Sequence, residues 1–198
     1  MTPLVLASGN SGKLREFAQL LAHSPYEVHS QAAFGVPTVA ETGLSFVENA
    51  LLKARHAAHH TGLPAVADDS GLVCDALDGA PGIYSARYAG VGASDEQNLV
   101  ALLAAMAEVP PAARTCRYVC VLVYLRYAAD PCPVIAEGRW EGVLTLAPEG
   151  DGGFGYDPIF WVPTARCTAA RLSPSRKHRV SHRGKALRAL VAKLPACG

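Results

Sequence analysis

Two adjacent acids beside an apolar run are the residues of this sequence best suited to metal-assisted chemistry. Ala65-Val66-Ala67 is followed directly by Asp68, Asp69 and the pair Ser70-Gly71. A short apolar run bounded by proline and glycine predicts a buried strand that ends at the acids, whose side chains alternate between its two faces. Neighbouring carboxylates raise each other's pKa unless a cation offsets their charge, and Mg²⁺ held by carboxylates and phosphates is the usual arrangement. A simple turn, which Asp-Ser-Gly often forms, explains the same residues.

A second stretch has the composition of a phosphate-binding loop. Ser8-Gly9-Asn10-Ser11-Gly12-Lys13 follows Leu4–Ala7, which predicts the opening strand, and precedes a helical pattern. Glycines let the backbone approach a ligand, the small polar side chains donate hydrogen bonds, and Lys13 supplies a point charge. Gly12 and Lys13 are predicted near a helix N-terminus, where free N–H groups favour an anion. The run is not a GxxxxGK[ST] loop, and strand-to-helix turns of this composition also occur for steric reasons.

Two glutamates near the next helix have different explanations. Ser45-Phe46-Val47-Glu48 fits a capping box, so Glu48 has a structural role as the third helical residue. Glu41 lies in an irregular segment before that helix and has no such role. Glu41 is therefore the better candidate for a third acid near the Asp68-Asp69 pair.

The second half of the chain holds a glycine-rich and a basic segment. Gly150–Phe160 sets aromatic residues between glycines, and Phe154 or Tyr156 could stack on a nucleotide base, although a loop anchored in the core explains the pattern equally. Arg176–Lys185 concentrates cations before the closing helix. Positive charge at a helix start works against the helix dipole, so an anionic ligand is the more economical account.

The composition is that of a globular chain. Of 198 residues, 50% are hydrophobic and 18% are charged, and the net charge is +1, which argues against disorder and against binding to nucleic acid or an acidic membrane. There is no basic leader and no long apolar run, so we expect a cytoplasmic protein without a membrane span. We expect free thiols, because the six cysteines form no metal-like spacing: Cys74, Cys116, Cys120, Cys132, Cys167 and Cys197.

The pattern of elements predicts a mixed-sheet α/β protein. Helices alternate with strands in the first half, whereas Tyr118–Leu125 and Val134–Trp140 form a predicted antiparallel pair of strands in the second. Before this pair of strands, Ser94-Asp95-Glu96-Gln97 opens a helix with a capping box, and we assign this helix a purely structural role.

Taken together, the unusual segments form an ordered set that resembles the inosine triphosphate pyrophosphatase family, enzymes that hydrolyse non-standard purine nucleoside triphosphates such as ITP, dITP and XTP. The segments are Ser8–Lys13, Glu41–Gly43 with Glu48–Ala50, Ala67–Gly71, Gly153–Pro158 and Ser181–Gly184. The resemblance covers essentially residues 1–198 and implies one nucleoside triphosphate pyrophosphatase domain. It also implies a two-lobed α/β fold, in which a long curved mixed sheet is flanked by helices and the active-site cleft lies between the lobes. A homodimer, a Mg²⁺ requirement and the release of pyrophosphate with a nucleoside monophosphate are further implications.

The resemblance also implies residue roles. Asp69 matches the catalytic base and a metal ligand, Lys13 a catalytic residue, Glu41 and Asp68 further metal-binding acids, and Ser70 a substrate contact. The triphosphate loop comprises Ser8, Gly9, Asn10, Ser11, Gly12 and Lys13. The base-binding residues comprise Phe154, Gly155, Tyr156, Asp157, Lys177, His182 and Arg183.

Two other functions fit the same residues. A nucleotide sensor would use the same pocket and bind tightly without forming product. A pyrophosphatase for other modified nucleotides would have identical phosphate and metal machinery. A P-loop switch protein is not favoured, because no Walker motif is present.

Overall fold

A computed structural model of the chain describes residues 1–22 and 24–194, with Ser11 described by its backbone alone. Its strands form a sheet of seven in the order β2-β1-β3-β4-β5-β6-β7. The strands are β1 (Thr2–Leu6), β2 (Tyr26–Ser30), β3 (Ala65–Cys74), β4 (Thr115–Leu125), β5 (Val134–Leu144), β6 (Phe160–Val162) and β7 (Cys167–Thr168). The helices are α1 (Ser11–Leu20), α2 (Phe46–Thr61), α3 (Asp95–Ala105), α4 (Pro174–Val180) and α5 (His182–Val191).

The sheet is mixed. Strand β1 pairs in parallel with β2 and β3, whereas β6 pairs antiparallel with both β5 and β7. Parallel neighbours need a crossover connection, and α1 and α2 provide it along the chain. The predicted α/β fold with a mixed sheet flanked by helices is thereby confirmed.

The main departure from the sequence prediction concerns β3. The strand does not end at Asp68 but continues through Asp69, Ser70 and Gly71 to Cys74. The prediction failed because acids, serine and glycine are depleted in strands and typical of turns. Glycine is needed inside this strand, since a Cβ at position 71 would lie 2.2 Å from the carbonyl oxygen of Gly82.

The chain divides into two compact units, each with a hydrophobic core. The first comprises residues 1–69, 120–138 and the described residues from Lys185 onward, and the second comprises Ser70–Val119 and Arg139–Gly184. Aliphatic side chains of β1, β4 and α5 dominate the first core, including Leu6, Leu122 and Leu187. Tyr118 and Phe160 lie in the second core.

Local capping signals set the helix starts as predicted. The Ser45 hydroxyl accepts from the Glu48 N–H, and Ser94 forms a complete capping box with Gln97. The basic segment differs from its prediction, because part of it forms a helix of its own, α4, before the closing helix α5. Serine at the N-cap and proline at the first position start it, which is a known signature that the sequence prediction passed over. Lys177 consequently lies in the last turn of a helix, where the dipole favours cations, so the argument from unfavourable charge does not apply there.

Two further structural facts bear on the sequence predictions. Among the residues with described positions, no helix combines the length and apolar character needed to cross a bilayer. The described cysteines are free thiols: Cys74, Cys116, Cys120, Cys132 and Cys167. Cys197 lies outside the described residues.

Candidate active site

The first unit contains a cavity of about 210 Å³ lined by the loop after β1 and by acidic and basic side chains. Its lining is Ala7, Ser8, Gly9, Lys13, Gln31, Thr38, Val39, Glu41, Lys53 and Asp68. Lys13 of α1 lies here against the buried carboxylate of Asp68, with its Nζ 2.9 Å from Oδ1 and 2.8 Å from Oδ2. The cavity therefore brings the predicted phosphate-loop lysine to one of the two predicted acids.

The second acid has its own lysine, which the sequence prediction did not identify. Lys53 of α2 donates hydrogen bonds to Glu41 Oε1 at 2.6 Å and to Asp69 Oδ1 at 2.9 Å. The irregular segment that carries Glu41 and the strand that carries Asp69 thus meet at one ammonium group. The structure confirms that Glu41 lies close to Asp69, as its position before the helix suggested.

The charges in this cluster do not balance locally. Burial raises the pKa of Asp69 above its ordinary value; Lys53 offsets part of this effect, while Glu41 and Asp68 add to it. Burial lowers the pKa of Lys53, but its two carboxylate partners outweigh burial and hold that pKa above its ordinary value. The single ammonium of Lys53 faces more than one carboxylate. The site consequently has an excess of negative charge.

The excess of negative charge makes this cluster a candidate site for Mg²⁺. Glu41, Asp68 and Asp69 offer the carboxylate oxygens that Mg²⁺ prefers, and a cation would offset both the burial that chiefly raises the Asp69 pKa and the added repulsion from Glu41 and Asp68. As the side chains stand, no three metal-ligating groups are clustered around one point within residues 1–22 and 24–194. Lys53 lies between Glu41 and Asp69. The donor set fits Mg²⁺ in its chemistry, and its closure around an ion would require the lysine to shift.

Asn49 positions the acids from α2. It is fully buried, its Oδ1 accepts the Gly43 N–H at 2.8 Å, and its Nδ2 lies 3.5 Å from Asp69 Oδ2. A Cβ at Gly43 would lie 2.6 Å from the Glu48 Cβ, so glycine allows the segment after Glu41 to approach α2. One helix residue therefore supports both the strand acid and the loop acid.

The first N–H groups of α1 already have a hydrogen-bond acceptor within the chain, which the sequence prediction did not foresee. The Asn10 side-chain oxygen accepts the N–H groups of Gly12 at 2.8 Å and Lys13 at 3.1 Å. The prediction of free N–H groups at this helix end is thus corrected, because the asparagine caps them itself. Ser8 and Gly9 line the cavity, whereas Ser11 is the first residue of α1.

Glu48 has the structural role that the capping pattern predicted. Its Oε2 accepts from the Ser45 hydroxyl at 2.7 Å and from the Leu44 N–H at 2.9 Å. These hydrogen bonds lower the pKa of Glu48, the Ser45 bond most strongly. The exposed glutamate belongs to the helix cap.

The second unit contains the predicted base-binding residues, and they form a connected group. Asp157 accepts the Phe154 N–H at 2.8 Å and forms a short ion pair with Lys177. The Phe154 ring is 55% exposed, with Lys177 Nζ 4.3 Å and Arg183 Cζ 5.7 Å from its centroid. The two cations lie over the ring, where its π-electrons attract them, and their N–H groups can donate hydrogen bonds to a ligand bound beside it.

The two aromatic candidates of this loop have different environments. Tyr156 is buried, and its hydroxyl donates to the Ser85 carbonyl at 2.8 Å. Burial raises the pKa of Tyr156 well above its ordinary value. His182 is also buried and stacks on Tyr118 with ring centroids 4.7 Å apart. Among these three residues, Phe154 is the exposed one, and Lys177 and Arg183 lie over its ring.

Sequence reasoning missed Lys53 and Asn49, although a signal was present. The residues are one helical turn apart, and they interrupt a face of α2 formed by small alanines such as Ala50, Ala54 and Ala57. Polar residues on an otherwise buried helical stripe need partners, and a nearby acid pair supplies them. The half-buried Ser70 follows Asp69 in β3, and its substrate role stays a prediction.

Paired lysines and carboxylates around one small cavity of an α/β fold are typical of enzymes that act on phosphorylated substrates. More narrowly, the chain belongs to the Ham1 family, whose model matches residues 4–193. It is 58% identical over 196 residues, covering 99% of this chain and 98% of the relative, to a protein of Vibrio parahaemolyticus named dITP/XTP pyrophosphatase. The resemblance noted from the motifs is thereby confirmed.

Solved structures of related proteins have the same fold. A HAM1 protein from Coxiella burnetii superposes with a TM-score of 0.94 at 47% identity, over 97% of this chain and 98% of that one. A structure from Mycobacterium abscessus, described as a nucleoside-triphosphatase and dITP/XTP pyrophosphatase, has a TM-score of 0.80 at 43% identity, over 98% and 99% of the two chains.

Proposed function

We propose that this protein hydrolyses non-standard purine nucleoside triphosphates (dITP, XTP and ITP) to the nucleoside monophosphate and pyrophosphate, and so cleanses the nucleotide pool. The observation that carries this proposal is the cluster in the first unit, where Lys13 and Lys53 pair with Asp68, Asp69 and Glu41. The 58% identity to a dITP/XTP pyrophosphatase supports the choice of substrate.

The triphosphate is assigned to the cavity of the first unit. Lys13, together with the backbone around Ser8 and Gly9, supplies donors and positive charge for the phosphate oxygens. A triphosphate would compete for Lys13 with Asp68, its present partner. Gly12 can contribute its N–H only if Asn10 releases it.

Asp69 is assigned as the general base. Its carboxylate takes a proton from a water molecule whose oxygen forms a bond to the α-phosphorus, and pyrophosphate leaves with the electrons of the broken P–O bond. A carboxylate with a raised pKa is a stronger base than an ordinary aspartate, and Lys53 and Asn49 hold it in place. Positioning and charge neutralisation supply most of the rate in such chemistry.

The metal is assigned to the same acids. Glu41, Asp68 and Asp69 would hold Mg²⁺, which when bound neutralises phosphate charge. Removal of divalent ions by EDTA should abolish turnover, and added Mg²⁺ should restore it. Retention of full activity in EDTA would contradict this assignment.

The base is assigned to the second unit. The exposed Phe154 ring can stack on the base, and the cations Lys177 and Arg183, which lie over this ring, can donate to the 6-oxo group of hypoxanthine or xanthine once a base shares the site with them. Adenine carries an amino group at that position, which would leave those donors unpaired. A site built for one polar group can reject such an analogue by about 10⁴-fold, more than shape alone achieves.

The decisive experiment is hydrolysis of a nucleotide panel with Mg²⁺, with pyrophosphate and orthophosphate resolved. We expect pyrophosphate from dITP, XTP and ITP, much less from ATP, and an intermediate rate with GTP, which shares the 6-oxo group. Orthophosphate with a nucleoside diphosphate as the main product would refute the proposal. Tight binding of XTP without product would instead favour the nucleotide sensor, and higher kcat/KM for other modified nucleotides would favour the related pyrophosphatase.

The remaining proposals carry over from the family resemblance. We expect a homodimer in a cytoplasmic location, one catalytic domain over residues 1–198, and no nucleic-acid or membrane partner. Light scattering of the purified chain tests the dimer.

A further inference from the structure

One long-range hydrogen bond joins α3 to the glycine-rich loop. The carboxylate Oδ2 of Asp95, the first residue of α3, accepts the backbone N–H of Gly155 at 2.7 Å. Gly155 directly follows Phe154, the residue to which we assign base stacking. The sequence prediction gave α3 a purely structural role, and this hydrogen bond links it to the loop.

Two successive backbone N–H groups around the stacking residue are held by carboxylates. The Phe154 N–H donates to Asp157, which also pairs with Lys177, and the Gly155 N–H donates to Asp95. Asp157 is buried and lies three residues after Phe154 in the same segment, whereas Asp95 belongs to a separate helix. Gly155 has φ +58°, a left-handed conformation that glycine adopts without strain, so the peptide can present its N–H to α3.

Packing does not brace the loop on this side. A cavity of about 370 Å³ is lined by the first turns of α3 and by the loop. The helix itself is firmly anchored, since Leu102 and Met106 are fully buried in the core of the second unit. The Asp95 carboxylate therefore provides a charge-assisted hydrogen bond from an anchored helix to the loop on the side of this cavity.

The geometry points to Asp95 as a positioning residue for base recognition: by fixing the peptide after Phe154, it holds the stacking ring in the orientation that selects the base. Asp95 does not act by touching the nucleotide. The inference rests on the proposed function, because it takes Phe154 as the stacking surface.

Capping of α3 does not require Asp95. Ser94 and Gln97 form the complete capping box, and Glu96 provides a second acid in the first turn. Glu96 is exposed and one residue away, so it offers a matched control for the loss of one negative charge at this helix end.

The test compares Asp95→Ala, Asp95→Asn and Glu96→Ala in the full chain. We expect Asp95→Ala to raise KM for XTP about five- to tenfold, to leave kcat within about twofold, and to reduce the preference for ITP over ATP. Asp95→Asn keeps an acceptor oxygen and should restore most of the wild-type KM, whereas Glu96→Ala should behave as wild type. Hydrogen exchange at the Gly155 amide, measured without nucleotide, should be about fivefold faster or more in Asp95→Ala only.

Each alternative outcome is decisive. Unchanged KM and base preference in Asp95→Ala, with or without faster exchange at Gly155, overturn the inference while the proposed function stands. Equal changes of KM and base preference in Asp95→Ala and Glu96→Ala would show that Asp95 acts only through the negative charge at the helix end, and would also overturn the inference. An unmodified chain that releases no pyrophosphate from XTP overturns the proposed function, and the inference with it.

Discussion

The ammonium of Lys53 lies 2.9 Å from the carboxylate of Asp69, the residue assigned as the general base. The same ammonium lies 2.6 Å from Glu41, so a helix lysine joins the strand acid to the loop acid. Because a lysine in this position holds both acids and counters their charge, its loss should lower turnover, although less than loss of the general base Asp69.

Removal of Lys53 should therefore be costly. We expect Lys53→Ala to lower kcat for dITP by about 100-fold, as is typical when one electrostatic group is removed from a preorganised site. Arg55→Ala removes a cation from an exposed position of the same helix and should leave kcat within about twofold. Equal effects of the two variants in steady-state assays would show that Lys53 contributes only general charge.

The acids of this region should separate by role. Asp69→Asn removes a base and a charge with little change in size, and we expect kcat to fall by about 10³-fold or more while the protein remains folded. Glu48→Gln affects a helix cap and should lower the melting temperature slightly with little loss of turnover. If Glu48→Gln abolishes turnover and Asp69→Asn does not, the assignment of the acids is inverted.

The two loop aromatics should give opposite results. Phe154→Ala should raise KM for XTP about tenfold or more, because stacking on a base contributes roughly 1–3 kcal/mol, and it should leave the melting temperature nearly unchanged because the ring is exposed. Tyr156→Phe removes the buried hydroxyl that donates to Ser85, and should lower the melting temperature with KM nearly constant. Kinetics and thermal melts of both variants check this, and the reverse pattern would move the stacking role to Tyr156.

Base selection should depend on Arg183. We expect Arg183→Ala to reduce the ratio of kcat/KM for ITP over ATP more than it weakens triphosphate binding, measured with inorganic triphosphate as a competitor. Arg176→Ala, at an exposed position of α4, is the control and should keep the ratio. Comparable kcat/KM for ATP and ITP in the unmodified enzyme would contradict the proposal that the site selects 6-oxo purines.

One acid far from this chemistry should govern acid stability. Asp130 is buried in the turn before β5 and accepts hydrogen bonds from Arg126 and from the Cys132 N–H, and the Arg126 guanidinium holds the pKa of Asp130 well below its usual range. A depressed pKa means that the stabilisation is fully present above the ordinary aspartate pKa and is lost as pH falls through and below it. Thermal melts should show Asp130→Asn less stable than wild type at pH 7, with the gap beginning to narrow below about pH 4. Glu108→Gln, an exposed control, should show no such gap.

The amino-acid sequence by itself determined the local structure of this protein. The caps at Ser45 and Ser94 involve residues three or four positions apart, so the local sequence suffices to predict them. The same holds for the central strand, whose apolar, β-branched run contains Leu122. The adjacency of Asp68 and Asp69, and the order of the motifs around them, were likewise sufficient to indicate the family and the chemistry.

The tertiary structure alone decided which side chains meet. Lys53 and Asp69, like Asp95 and Gly155, come from elements far apart in sequence, and their contact depends on how helix and strand or helix and loop pack. Burial likewise decided between Phe154 and Tyr156, which have similar rings but opposite exposure. The composition of Asp-Asp-Ser-Gly favours a turn, yet the sheet extends β3 through it, because pairing and packing over the whole strand outweigh local propensity.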